Sequence, residues 1–405
     1  MPGRNPVEGR HIALGVTGSI AAYKAAAIAS ALAQEGGLVD VLMTPQATQF
    51  VAPLTFEALT HRPVVTDMFR LSNSEISHVV VSHSADVLVV APATAHTIAK
   101  LALGLADDPV SATALSTRAP GLLAPAMETG MWQNPATQAH IQTLRDRGWL
   151  VADPVSGHLA SGATGEGRMA EPEQVVDIVH QMLGRSGDLA GRHIVVTAGG
   201  TREPIDPVRY LSNRSSGKMG HAIAEAARDR GAAVTLIATV ALPPLAGMEV
   251  VAVERAEEMR DAVLHLLNRA DVLVLAAAVA DFRPAQLADQ KLKRRDGVPE
   301  LVLSTNVNVL EEAKAQRGAA RKPFIVGFAA ETENLLGNAR EKFAKWGIDL
   351  VVANDVALEG SGFGSDLNKV TMLRIGGDMV DLPLLPKIEV AHRLLDEVIA
   401  LGSKV

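Results

Sequence analysis

Basic and polar side chains are concentrated in one stretch of the chain, directly after a short apolar run. The stretch is TAGGTREPIDPVRYLSNRSSGKMG, residues 197–220, and the run before it is IVV. Gly199 and Gly200 would let backbone N–H groups approach an anion without an intervening side chain. The other donors are Arg202, Arg209, Asn213, Arg214, Ser215, Ser216 and Lys218. This density before a helical pattern predicts a phosphate and carboxylate site, the alternative being a long polar connection.

Polar residues also follow three apolar runs in the first half of the chain. Gly18 and Ser19 come at the end of the first run, and Thr44 and Thr94 end the other two. Open α/β sheets bind ligands at the carboxyl ends of their strands. Three polar tips of this kind predict a nucleotide-like ligand in the first half.

Apolar runs that alternate with helical patterns must position these residues, and they predict parallel sheets covered by helices. Strands are predicted at 11–16, 38–45, 86–94, 121–127, 149–154, 193–198, 234–239, 271–279, 323–328, 349–353 and 369–375. Helices are predicted at 173–183 and near 386–401. The pattern restarts after a Gly- and Ser-containing segment, so we expect domains at 1–184 and 193–405 joined by a linker at 185–192. Residues 154–168 and 359–369 are rich in glycine and are predicted to be loops.

Composition limits the class of protein. At 405 residues two domains are expected, and 48% hydrophobic residues with only 3% aromatic ones favour cores of Ala, Val, Leu and Ile. The chain has no cysteine, so neither a disulfide nor a thiolate ligand is available. A net charge of −7 does not favour nucleic acid as a partner. No run is long enough to span a membrane and the first ten residues lack a signal-peptide core, so a cytoplasmic protein is expected.

The 197–220 stretch resembles, nearly residue for residue, the signature of phosphopantothenate–cysteine ligase. The similarity extends from about His11 to about Ala400. Over this range the chain resembles the bacterial bifunctional family whose members also carry a phosphopantothenoylcysteine decarboxylase. It implies two Rossmann-like α/β domains with parallel sheets. The N-terminal one would be a flavodoxin-like, FMN-binding decarboxylase and the C-terminal one a CTP-dependent ligase.

For the first domain, the resemblance implies that Gly18 and Ser19 cradle the phosphate of FMN. The rest of the flavin site would be lined by Thr44, Thr94 and Ser111. His78 matches the catalytic histidine of the flavin-dependent cysteine decarboxylases. His83 falls where that family places no catalytic group.

Two positions of the first domain depart from the family pattern. The family motif PAMNxxMW is PAMETGMW here, so Glu128 replaces an asparagine assigned to the substrate carboxylate. The family sequence ACG is ASG here, so Ser161 replaces the cysteine that is assigned to protonation. Serine is a much weaker acid than a thiol. A Glu128 carboxyl kept protonated by burial is therefore the expected acid.

For the second domain, the resemblance implies that CTP activates 4′-phosphopantothenate as an acyl-cytidylate, with Mg²⁺ or Mn²⁺, before cysteine displaces CMP. Asn213 matches the residue needed by the intermediate, Arg209 a second catalytic position, and Lys291 the cation on the transferring phosphate. The nucleotide site would include Gly199, Gly200, Asp281, Lys291, Phe328 and Asn354, with Asp281 also contacting the metal. Phe363, Ser365, Asp366 and Asn368 lie where the family has a cover over the site.

The resemblance implies a homo-oligomeric enzyme of coenzyme A biosynthesis, up to a dodecamer, with small-molecule substrates. An active ligase carrying a flavin-binding, non-catalytic N-terminal assembly module is the alternative, favoured by Glu128 and Ser161. A nicotinamide oxidoreductase would fit the α/β pattern, but the chain lacks the sequence GxGxxG.

Overall fold

The computed structural model describes residues 4–69, 71–72, 75–294, 297–331, 335–355, 360, 362, 364–374 and 378–402. The chain divides into two compact units, Met1–Gly184 and Arg185–Val405. No helix within the described ranges is both long and apolar enough to cross a membrane.

The first unit alternates strands with helices. Its strands are β1 (His11–Val16), β2 (Leu38–Met43), β3 (Leu71–Ser72), β4 (Glu75–Ile76), β5 (Val87–Ala93), β6 (Gly121–Pro125), β7 (Leu150–Val151), β8 (Val155–His158) and β9 (Thr164–Arg168). Its α-helices are α1 (Ala22–Gln34), α2 (Pro53–Thr60), α3 (Ser77–Ser84), α4 (Ala95–Leu103), α5 (Pro109–Ser116), α6 (Thr129–Trp132), α7 (Pro135–Asp146) and α8 (Pro172–Gly184).

The main sheet of the first unit has the order β2-β1-β5-β6-β7, and all its pairs are parallel. Counting only the strands of this sheet, the order is 2-1-3-4-5, that of flavodoxin-like folds. Both faces are covered, because Ile12 and Leu14 of β1 belong to one apolar cluster and Ala13 to another. The expected flavodoxin-like fold is therefore confirmed.

The second unit is larger. Its strands are β10 (His193–Ala198), β11 (Arg202–Pro204), β12 (Tyr210–Ser212), β13 (Ala233–Ala238), β14 (Glu249–Ala252), β15 (Val272–Leu275), β16 (Phe282–Pro284), β17 (Leu303–Thr305), β18 (Phe324–Glu331), β19 (Leu350–Asp355), β20 (Leu367–Asn368), β21 (Val370–Arg374), β22 (Met379–Asp381) and β23 (Leu385–Pro386). Its α-helices are α9 (Lys218–Asp229), α10 (Ala256–Leu266), α11 (Val309–Arg317), α12 (Leu335–Trp346) and α13 (Lys387–Gly402).

The main sheet of the second unit has the order β14-β13-β10-β15-β18-β19-β21-β22. The first six strands are parallel in the Rossmann order 3-2-1-4-5-6. The last two are antiparallel, so the sheet is mixed where the sequence predicted a parallel one. A Rossmann-like core is confirmed, with an antiparallel edge added to it.

Close packing of α9 on β10 brings the start of the helix to the end of the strand. A Cβ at Gly220 would lie 2.7 Å from the Cβ of Ala198, so only glycine fits there without a shift. Ile194 and Val196 are buried on this face and Val195 on the other. This packing directs the residues before α9 to the carboxyl edge of the sheet.

Two segments are more ordered than predicted. Residues 154–168, expected to be a flexible loop, contain the antiparallel hairpin of β8 and β9. The predicted linker packs on the second unit, because Leu189 is fully buried in its core. There Asp188 pairs with the buried Arg230 at 2.6 Å.

Candidate functional site

The first unit has a cavity of about 390 Å³ at the carboxyl ends of β1, β2 and β5. Four predicted residues line it: Gly18, Ser19, Thr44 and Thr94. This is the point at which the strand order of the sheet reverses, where doubly wound folds bind their ligands. The polar tips that were predicted from sequence therefore meet in one place.

The turn between β1 and α1 requires glycine at its second residue. A Cβ at Gly18 would lie 2.5 Å from the Cβ of Gln46. Ser19 follows, and its hydroxyl accepts a hydrogen bond from the Ala21 amide at 3.3 Å. Because α1 begins at Ala22, the cavity lies beside a helix N-terminus, which favours an anionic group.

Threonines connect the strand ends around this cavity. The buried Thr17 donates to the Pro92 carbonyl at 2.7 Å and accepts from the Thr94 amide at 3.2 Å. The Thr94 hydroxyl caps α4 by accepting from the Thr97 amide. These bonds fix β1 against β5 at the cavity wall.

The sequence did not single out an ion cluster in the same wall. Lys100 Nζ lies 2.6 Å from Asp107 Oδ1 and 2.9 Å from Asp108 Oδ2. Burial alone would lower the pKa of Lys100, but its hydrogen bonds with the two aspartates raise it above its ordinary value. The Asp-Pro pair that begins α5 was the available sequence signal, since Asp is favoured at N-caps and Pro at N1.

Ser111 and His78 are not part of the described cavity wall. Ser111 is buried, and it completes a capping box with Asp108 at the start of α5. His78 lies half-buried on α3, and its Nδ1 has no hydrogen-bond partner among the described residues.

Glu128 and Ser161, the two departures from the family pattern, contact each other. Glu128 is at the N-cap position of α6, and Ser161 is in the turn between β8 and β9. The Ser161 hydroxyl donates to Glu128 Oε2 at 2.9 Å. Both residues are exposed, so the burial that was expected of the Glu128 carboxyl is not observed.

The second unit has a cavity of about 880 Å³ along the carboxyl ends of β10, β15, β18 and β19. Predicted residues in its wall are Asn213, Arg214, Ser215, Ser216, Lys218, Asp281, Phe328, Asn354 and Asn368. The cavity spans the switch point of the Rossmann-like sheet. Its size suits a ligand larger than one nucleoside.

Asn213 fixes the backbone that follows β15. Its amide nitrogen donates to the carbonyls of Ala278 and Val279 at 3.2 and 3.1 Å. Asp281, two residues farther on, is exposed, and its carboxylate has no partner among the described residues. The described residues contain no cluster of three acidic, His or Cys side chains that could hold a metal. A cation at Asp281 would therefore need oxygen ligands from elsewhere, as Mg²⁺ takes from phosphates.

Gly199 and Gly200 are used for packing and do not line the described cavity. A Cβ at Gly199 would lie 2.2 Å from the Thr239 hydroxyl, and one at Gly200 would lie 2.7 Å from the Asn213 carbonyl oxygen. The Gly199 carbonyl accepts from the Ala278 amide at 2.8 Å. The glycines thus allow three backbone segments to meet behind the site.

Arg209 and Lys291 also lie outside the described wall. Arg209 forms an ion pair with the buried Asp206 at 2.6 Å. Lys291 is exposed. The structure therefore does not place these two predicted residues with those that line the cavity.

Basic residues that line the cavity hold the described part of the Gly-rich loop. Lys218 Nζ donates to the Gly364 carbonyl at 2.9 Å and to Asp366 at 2.6 Å. Lys387, which the sequence did not single out, donates to the carbonyls of Gly362, Ser365 and Leu367. Burial lowers the pKa of Lys387. Phe363, predicted to be part of the cover, lies outside the described residues.

Comparison with known proteins gives the same division of the chain. Residues 3–184 match the family model described as Flavoprotein. Residues 189–401 match the one described as DNA/pantothenate metabolism flavoprotein C-terminal domain.

Curated relatives match over almost the whole chain. The coenzyme A biosynthesis bifunctional protein CoaBC of Bacillus subtilis is 44% identical over 400 residues, which are 98% of each chain. The CoaBC protein of Mycobacterium tuberculosis is 45% identical over 404 residues, 96% of each chain. A solved C-terminal domain of a CoaBC protein is 37% identical and covers 53% of this chain and 97% of its own, with a TM-score of 0.45. The chain belongs to the CoaBC family of bifunctional enzymes of coenzyme A biosynthesis.

Proposed function

We propose that the two units catalyse consecutive steps of coenzyme A biosynthesis. The second unit joins 4′-phosphopantothenate to cysteine at the expense of CTP, by way of an acyl-cytidylate. The first unit decarboxylates the resulting 4′-phosphopantothenoylcysteine to 4′-phosphopantetheine with FMN. The observation that carries this proposal is the pair of cavities at the two switch points, lined by four residues that the family resemblance assigns to the first site and five that it assigns to the second.

The ligase cavity has the charge that its substrates need. CTP and 4′-phosphopantothenate both carry phosphates, and the wall includes five basic side chains: Arg214, Lys218, Lys342, Lys345 and Lys387. The unpaired carboxylate of Asp281 would contact the divalent cation that accompanies the triphosphate. Phe328 and Asn354 would line the nucleotide.

Asn213 has two tasks in this proposal. The nitrogen of its side-chain amide donates to the backbone after β15. The oxygen of the same side chain is therefore available at the cavity. The acid must first displace pyrophosphate from CTP, and the amine of cysteine must then displace CMP from the acyl group. We assign Asn213 to the handling of this acyl-cytidylate and Lys291 to the phosphate that is transferred; Arg209 matches a second catalytic position of the family.

The residues of the first cavity fit FMN. Gly18 lines the cavity in a turn packed closely on Gln46, and Ser19 lies beside the start of α1. These two would hold the phosphate, with Thr44 and Thr94 lining the rest. Bound FMN would supply the redox chemistry of the decarboxylation. His78 would exchange a proton with the substrate, because its Nδ1 lacks a partner among the described residues.

A flavin-binding, non-catalytic first unit is the second candidate. Glu128 and Ser161 favour it, since each replaces the residue of the family pattern and the two side chains are hydrogen-bonded to each other. The variant Glu128→Asn with Ser161→Cys restores the family pattern. If the native chain releases no carbon dioxide from 4′-phosphopantothenoylcysteine and this variant does, the second candidate is correct.

The test of the main proposal separates the two activities in the full-length chain. The purified protein should show the visible absorbance of a bound flavin. It should form 4′-phosphopantothenoylcysteine only with CTP and a divalent cation, and release carbon dioxide from that product without CTP. Asn213→Ala should abolish ligation and leave decarboxylation intact, and His78→Asn should do the reverse. Loss of both activities in either variant would contradict the assignment.

We also propose that the enzyme is a cytoplasmic homo-oligomer, up to a dodecamer. Large apolar side chains are exposed on the first unit, among them Ile20, Tyr23 and Leu54. Exposed apolar surface of this kind is typical of subunit contacts. Light scattering of the full-length protein gives its mass and tests this.

A further inference from the structure

Asp206 collects hydrogen bonds from two separate segments of the second unit. Its side chain is fully buried in the turn between β11 and β12. Oδ1 accepts from the amides of Val208 at 2.8 Å and Arg209 at 2.9 Å. Oδ2 accepts from Nε and Nη2 of Arg209 at 3.0 and 2.6 Å and from the Leu292 amide at 3.1 Å.

The second segment is the one that carries Lys291. Arg209 Nη2 also donates to the Leu292 carbonyl at 2.6 Å, and the Ala288 amide donates to the Ile205 carbonyl at 3.1 Å. Leu292 is thus held through both its N–H and its C=O. The residue before it, Lys291, is exposed, and its ammonium group has no partner among the described residues.

This arrangement changes what Arg209 can do. Its guanidinium group is already paired with a buried carboxylate, so little of its charge is free for a substrate. Its second donor supports the backbone beside Lys291. The ammonium group of Lys291 has no partner among the described residues. Its position is determined by the hydrogen bonds that join the two segments.

We infer that Asp206 is a positioning residue of the ligase, which holds Arg209 and Leu292 together and thereby fixes where Lys291 presents its ammonium group. This inference rests on the proposed ligase function. A side chain held in place before the reaction avoids the entropic cost of ordering it during the reaction.

The two carboxylate oxygens of Asp206 allow a selective test. In Asp206→Asn the amide oxygen can still accept from Val208 and Arg209 and keep the turn. The amide nitrogen cannot accept from Leu292 or from the guanidinium group. The substitution therefore removes the contacts that Asp206 makes with Leu292 and with the guanidinium group, while it conserves the local turn.

Glu397→Gln is the matched control. Glu397 accepts two hydrogen bonds from Arg374 at 2.6 Å each, in the same unit and away from the cavity wall. The substitution removes one carboxylate from a forked ion pair, as Asp206→Asn does. Arg209→Lys is a second test of the hydrogen bonds that join the two segments, because lysine keeps the charge but cannot form the fork.

Hydrogen exchange and ligase kinetics should be measured on the full-length protein. We expect Asp206→Asn to speed exchange at 288–292 and to lower kcat/KM for CTP by roughly 10- to 100-fold, the loss that a misplaced group produces. Glu397→Gln should change neither. In a Lys291→Ala background, Asp206→Asn should add little further loss, because interacting residues are not additive.

Unchanged exchange at 288–292 in both Asp206→Asn and Arg209→Lys would overturn the inference. If Asp206→Asn lowers kcat/KM equally in the wild-type protein and in the Lys291→Ala background, the inference is also overturned, since Asp206 would then act independently of Lys291. If the wild-type protein lacks CTP-dependent ligation, the proposed function fails. The exchange measurement would still decide whether Asp206 holds the segment.

Discussion

The hydroxyl of Ser161 donates a hydrogen bond to Oε2 of Glu128 at 2.9 Å, joining the hairpin of β8 and β9 to the start of α6. The Met127 amide, which donates to the Gly167 carbonyl at 3.0 Å, adds a second connection between the same elements. The two departures from the family pattern therefore form a pair. A change at one position alters the hydrogen bonding of the other.

Ser161→Ala should loosen the hairpin turn and leave the flavin bound. An exposed hydrogen bond of this kind contributes about 0.5 kcal/mol, which corresponds to roughly twofold faster amide exchange at 159–163. Ser156→Ala, in the same hairpin, removes an exposed hydroxyl without a partner among the described residues and serves as the control. Equal exchange in the two variants would show that the Ser161 hydroxyl, which donates to Glu128 and accepts from the Ala163 amide at 3.4 Å, does not hold the turn.

Gly18→Ala should reduce both flavin content and the stability of the first unit. The added Cβ would lie 2.5 Å from the Cβ of Gln46, and overpacking of this kind costs about 1–3 kcal/mol. Gly130→Ala adds the same methyl group where no heavy atom lies within 4 Å, so it should be neutral. Visible absorbance and thermal unfolding measure both effects. A Gly18→Ala protein with full flavin content would exclude Gly18 from the phosphate site.

His78→Asn should abolish carbon dioxide release while flavin absorbance stays at the wild-type level. His78 is outside the described wall of the flavin cavity, so its loss should not disturb the residues that would hold the cofactor. The ratio of visible to protein absorbance, measured beside the decarboxylase rate, checks this. A protein that purifies without flavin would show that His78 supports the fold of the site.

The loss of unfolding free energy caused by Asp206→Asn should become smaller as the pH falls through the acid range. Burial alone would raise the pKa of Asp206, but hydrogen bonds from Val208, Arg209 and Leu292 lower it well below its usual range. Such a carboxyl stabilises the fold at pH values above its unfolded pKa, about 3.9, and loses this contribution at lower pH. The difference in unfolding free energy should be constant between about pH 7 and 5 and shrink below about pH 4. Denaturant unfolding across this range measures it, and a difference that grows on acidification would be inconsistent with the lowered pKa.

The central strands of both sheets were predictable because buried parallel strands are continuous apolar runs, whereas the edge strands β14 and β22 of the second sheet were missed. Residues 194–196 and 272–275 are of this kind. The hairpin of β8 and β9 was missed because its pairing is between backbones and its glycines carry no alternating pattern. Gly167 is there for close approach, since a Cβ would lie 2.3 Å from the Met127 carbonyl oxygen.

The site was predictable where residues follow strands directly, as Gly18, Thr44 and Thr94 do. It was less predictable where a residue type has two uses. Gly199 and Gly200 suit an anion or a tight backbone crossing, and the structure uses them for the crossing. Ser111 suits a ligand or a helix cap, and here it caps α5. Residue type alone could not show that Asp206 bonds to both Arg209 and Leu292.

The packing of Asp188 and Leu189 on the second unit determines where that unit has to begin if it is produced by itself. Arg230, whose side chain is 2% exposed, is neutralised by Asp188 together with Asp396, and a Cβ at Gly187 would lie 2.4 Å from the Arg230 carbonyl oxygen. A ligase shortened to begin at His193 would leave this guanidinium group with one carboxylate and uncover the place that Leu189 fills. A second unit produced separately therefore has to begin no later than Gly187.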